Sequence, residues 1–109
     1  MQIVVLYFEG CPNHEPTTAL VRDVVQSLRL DASIREVEVR DADEAQRLRF
    51  FGSPTIQVDG HDLDPTARNR SDYSFSCRMY GSSGSPPRAL VERALREEAR
   101  KSRVRGDTT

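Results

Sequence analysis

At 109 residues the chain suits one domain and can bury about two thirds of its unfolded surface, so a core is available without disulfide or metal staples. Sixteen basic against seventeen acidic residues leave a formal charge of -1, which excludes a broad electrostatic footprint for nucleic acid or a polybasic attraction to membranes. The longest apolar run, residues 3–8, is too short for a bilayer span or the apolar region of a signal peptide, and the expected compartment is cytoplasmic.

Ile3 to Phe8 are β-branched, aliphatic and aromatic without alternation, the pattern of a central strand covered on both faces. A turn rich in Gly, Pro and Asn follows over 9–16. Leu20, Val21, Val24, Val25 and Leu28 then recur at helical spacing, predicting a helix over 16–30. Val37 and Val39 alternate with charged residues in a second strand over 34–39, at a partly solvated edge. A short helix is expected over 43–50, capped by Asp41 or Asp43, with Ala45 and Leu48 facing inward.

Thr55 to Asp59 alternates as a third strand, and residues 74–80 as a fourth, with 60–72 as a long polar connection between them. Ser85 is placed to cap the last helix and Pro86 to occupy its first position; Leu90, Val91, Ala94 and Leu95 form the apolar stripe. The expected organisation is one α/β domain over 1–100 with a disordered tail over 101–109.

The order βαβαββα, with a Cys-Pro turn after a buried first strand and Pro-Thr opening the third, resembles the thioredoxin-like superfamily. Gly10-Cys11-Pro12-Asn13-His14 resembles that family's Cys-X-X-Cys turn, and Gly52-Ser53-Pro54-Thr55 its cis-proline segment. The resemblance implies a four-stranded mixed sheet flanked by helices, and a Cys11 that works in thiol-disulfide exchange. His14 stands where the family has its second cysteine, so exchange within the turn is ruled out. A single-cysteine turn works through an external thiol or a resolving cysteine elsewhere, and some such domains have no redox role.

A thiol must ionise to attack a disulfide, and proximity to a helix N-terminus favours the thiolate. Cys11 is placed for this, although Pro16 complicates where the helix begins; a structural Cys11 is the alternative. His14 either supports the thiolate or is a solvent-facing turn residue. Pro12, Ser53, Pro54 and Thr55 are the expected substrate contacts, because a cis bond at Pro54 exposes flanking backbone to an extended substrate, with the Ser53 hydroxyl available to the thiolate.

Cys77 either approaches the turn as a resolving thiol or points with Phe75 and Met79 into the core. Arg78 falls on the opposite face, solvated or holding an anionic group. The spacing of His61, Asp62 and Asp64 matches no metal site, and no cofactor is expected.

Three functions fit these residues. The first is a thiol-disulfide oxidoreductase acting on protein or small-molecule disulfides or thiols, with Cys11 as nucleophile and Cys77 or an external thiol resolving. The others are a non-enzymatic binding module using the same groove, and a soft-metal or organometal site built from Cys11 and Cys77.

Overall fold

The computed structural model describes residues 1–107, with side chains through Lys101. The chain is an α/β protein with a four-stranded mixed sheet and three α-helices. Strand β1 (Gln2–Tyr7) pairs in parallel with β2 (Ser33–Glu38) and antiparallel with β3 (Thr55–Val58), and β3 pairs antiparallel with β4 (His61–Asp62). The sheet order is therefore β2-β1-β3-β4. Parallel β1 and β2 require a crossover, supplied by α1 (His14–Ser27); α2 (Ala42–Leu48) and α3 (Arg88–Asp107) complete the helices.

Successive side chains of a strand point to opposite faces, so β1 serves two cores. Ile3 and Val5 pack with Val21 and Val24 of α1, Ile56 and Val58 of β3, and Val91 and Leu95 of α3. Leu6 joins Val39, Ala45 and Phe50 in a smaller cluster beneath α2. That double burial bears out the central position expected for the first strand. The edge strand β2 buries little, as its charged alternation predicts.

Helix α2 starts at Asp41, whose Oδ1 accepts the Glu44 N–H at 2.8 Å. The Glu44 carboxylate reaches back to the Arg40 N–H, also at 2.8 Å, so two donors at the helix entry are satisfied reciprocally. It ends at Leu48, before the expected Phe50, because Arg49 turns left-handed at φ 58 and sends Phe50 into the second core. Helix α1 begins at His14, two residues before Pro16: a proline in the first turn loses no intrahelical hydrogen bond.

The expected cap of α3 is not formed. The helix begins at Arg88, and the Ser85 hydroxyl turns instead to Asn13 in the Cys11 turn, at 3.4 Å. The backbone is helical to Asp107; the rest of the tail expected over 101–109 lies outside the described residues.

The fourth strand is also not where alternation placed it. Asp59 (φ 48) and Gly60 (φ 88) form a two-residue left-handed turn that folds β4 directly back onto β3. This Asp-Gly pair matches the right-handed twist of a tight hairpin, and it shortens the expected long connection to two residues. Residues 74–80 do not join the sheet as a strand; they form a strap beside residues 50–54.

The hairpin predicts a conformational cost without a steric one. A side chain at Gly60 would meet no atom within 4 Å, yet must adopt φ +88. Gly60→Val should lower stability by about 1–2 kcal/mol, read from the urea midpoint at unchanged slope.

Candidate functional site

The end of β1 carries the chain into the Cys11 turn. The Cys11 N–H donates to the Phe8 carbonyl at 3.2 Å, and the His14 N–H to the Cys11 carbonyl at 3.3 Å, so the thiol-bearing residue sits two positions before Asn13, the N-cap of α1. Cys11 is partly exposed and Pro12 exposed. The Ser53-Pro54 peptide bond is cis, as expected. Register places Leu6 beside Thr55, and the Phe8 N–H donates to Ser53 Oγ at 3.3 Å, which ties the start of the thiol turn to the cis-proline segment. The Ser53 hydroxyl, expected to serve the thiolate, is engaged by backbone instead.

His14 is turned to other partners. Its ring lies flat on Tyr7, with centroids 3.6 Å apart and planes 6° from parallel, and its Nε2 meets Glu36 Oε1 at 3.0 Å. Glu36 is held below the ordinary carboxylate range, first by the neighbouring Thr18 hydroxyl, against a desolvation penalty, and then by His14 and Arg22. The Thr18 hydroxyl lies close without completing a hydrogen bond of normal geometry. His14 thus links β1, β2 and α1; its bond to Cys11 runs through the backbone.

The strap occupies the cis-proline edge. Ser74 N–H donates to the Phe50 carbonyl at 3.0 Å, Ser53 N–H to the Ser76 carbonyl at 2.7 Å, and Arg78 N–H to the Ser53 carbonyl at 3.0 Å. Ser53 and Cys77 form a parallel bridge. Both backbone groups of Ser53, expected to receive a substrate, are therefore filled by the chain itself. Ser53, Pro54 and Thr55 are buried, and the Thr55 hydroxyl donates to the Gly52 carbonyl at 2.6 Å. Gly52 permits this approach: at φ +111, an added Cβ would lie 2.9 Å from the Arg78 nitrogen.

The two-residue alternation expected over 74–80 is present with its faces exchanged. Phe75, Cys77 and Met79 point outward, while Arg78 and Tyr80 are buried. Cys77 is therefore neither a core residue nor bonded to Cys11; both thiols are free. Arg78, expected to be solvated or to hold an anion, makes a two-pronged ion pair with Asp62 at 2.7 and 3.0 Å and lies 4.5 Å over the Tyr80 ring. Burial opposes the guanidinium charge, but the Asp62 hydrogen bonds and the neighbouring acidic and phenolic groups outweigh it and hold Arg78 above its ordinary range.

Burial likewise pushes the Tyr80 hydroxyl up, with Arg78 opposing, so it remains a donor; it reaches the Pro54 carbonyl at 2.5 Å. Sequence reasoning considered Gly52, Asp62 and Arg78 separately and did not join them with Tyr80 into the one set that holds the strap. The Asp59-Gly60 signal could have found Asp62, since a tight hairpin places it on an edge strand beside β3.

Among the described residues no cluster of three or more His, Cys, Asp and Glu forms a potential metal site, and no helix is long and apolar enough to cross a membrane. No family model, curated protein or solved structure matches the chain. The site's chemistry is accordingly read from its own geometry.

Removing one partner of a buried ion pair strands the other charge, whereas replacing both with apolar groups can be close to neutral. Arg78→Met alone should cost about 3–5 kcal/mol, and adding Asp62→Leu should recover most of that loss. A double-mutant cycle by chemical denaturation measures both.

Proposed function

We propose that the chain is a thioredoxin-like thiol-disulfide exchange protein with Cys11 as its nucleophile. One observation carries the reading: a partly exposed cysteine in the turn between β1 and α1, tied through Phe8 to a cis Ser53-Pro54 bond. The sheet order β2-β1-β3-β4, with antiparallel β3 opening directly after that bond, supports the same assignment.

In the proposed reaction, Cys11 loses its proton to solvent and its thiolate attacks one sulfur of a disulfide. A Cys11 mixed disulfide forms, the old sulfur-sulfur bond breaks, and the leaving sulfur departs as a thiolate carrying the electron pair. Cys77 or an external thiol then attacks the mixed disulfide and releases the bound half. The substrate disulfide is the oxidant, so no further cofactor enters. Cys77 is exposed on the strap beside Ser53, which makes it available to solvent-borne partners.

The positions of Cys11 and His14 in the same turn do not amount to a thiol-imidazole pair, since His14 Nε2 is engaged by Glu36. The exchange reading therefore assigns His14 to holding the turn against β1 and β2.

Single-cysteine variants separate the roles. Cys77→Ser should retain formation of the mixed disulfide with hydroxyethyl disulfide, detected by intact mass, whereas Cys11→Ser should abolish turnover of that disulfide with an external thiol. Equal turnover by wild type and Cys11→Ser would remove Cys11 from the reaction.

A further inference from the structure

A peptide added to a sheet edge binds through unpaired backbone N–H and C=O groups. At this site those groups belong to Ser53, and both are paired within the chain, to Ser76 and Arg78. Three further features hold the pairing in place. Gly52 lacks the Cβ that would collide with Arg78, the Tyr80 hydroxyl is bonded to the Pro54 carbonyl, and Arg78 is locked to Asp62. An extended polypeptide could take the edge only by displacing this strap.

What stays open is of small-molecule size. A groove of about 590 Å³ is walled by Phe8, Glu9, Glu38, Arg40, Phe75 and Cys77; Cys11 is not part of that wall but is itself partly exposed. Phe8 and Phe75 meet across it with ring centroids 5.5 Å apart, and Glu9 stands two residues before Cys11. Ligand pockets of this size accept small organic molecules. The wall is part aromatic and carries charges of both signs.

We propose that the 74–80 strap is a specificity element that restricts Cys11 to low-molecular-weight disulfides and excludes extended peptide disulfides from the cis-proline edge. This rests on the exchange reading of Cys11. The step is the one already given: Cys11 sulfur bonds to one sulfur of the small disulfide, and its other half leaves as a thiolate. The strap takes no part in bond making, and Tyr80 acts as a positioning residue by holding it.

The experiment uses the full chain carrying Cys77→Ser, so that Cys11 is the only thiol. Its rate of mixed-disulfide formation is compared for hydroxyethyl disulfide and for a short unstructured peptide whose single cysteine is linked to 2-mercaptoethanol. The small disulfide should react about tenfold faster or more, since peptide entry must break two backbone hydrogen bonds. Adding Tyr80→Phe removes one strap anchor and should narrow the gap by raising the peptide rate.

A peptide rate equal to or above the small-disulfide rate overturns the proposed selectivity while leaving Cys11 exchange intact. A gap untouched by Tyr80→Phe assigns the discrimination elsewhere and overturns the role of the strap. If Cys11 is alkylated by iodoacetamide yet exchanges with neither disulfide, the exchange reading itself fails and the selectivity falls with it.

Discussion

The pairing of Ser53 with Ser76 and Arg78 is the constraint on which the rest of the site depends. Ser53 is fully buried, and buried backbone N–H and C=O groups must find partners. Here the partners come from the same chain, roughly two dozen residues further on. That choice dictates Gly52, because no Cβ fits beneath the strap, and it dictates the buried faces of Arg78 and Tyr80. The charge that follows Arg78 inward is matched by Asp62, which the Asp59-Gly60 turn delivers to the sheet edge.

This arrangement sets the two cysteines in different surroundings. Cys11 lies in a turn whose backbone is fixed by Phe8 and His14 and whose neighbour Asn13 is held by Ser85. Cys77 rides on the strap with its side chain outward, because its neighbour Arg78 takes the inward face and Ser76 gives its carbonyl to the Ser53 N–H. In the proposed exchange chemistry, the first thiol is positioned by the sheet and the second is presented by a segment covering that same sheet's active edge.

Much of the architecture is legible in the residues. Unbroken β-branched, aliphatic and aromatic residues over 3–8 mark a strand buried on both faces, Asp41 marks a cap, and the cis bond at Pro54 is legible only through the resemblance carried by Gly52-Ser53-Pro54-Thr55. Two misplacements share a cause. Alternation over 74–80 reports two-residue periodicity, but it cannot tell a sheet strand from a strap, nor which face is inside. Hydrophobicity favours burying Phe75, Cys77 and Met79; the structure buries Arg78 and Tyr80 because their polar ends reach Asp62 and Pro54, contacts made across chain separations that local pattern does not encode. His14 misleads similarly, since neither Tyr7 nor Glu36 is a neighbour in the turn.

The most direct measurement of whether the cis-proline edge is closed is amide hydrogen exchange at Ser53 and Arg78 in the free protein. The account predicts strong protection of both amides, with exchange only through cooperative opening of the strap. Exchange at either amide at the rate of an unstructured chain would show the edge open to solvent and contradict it.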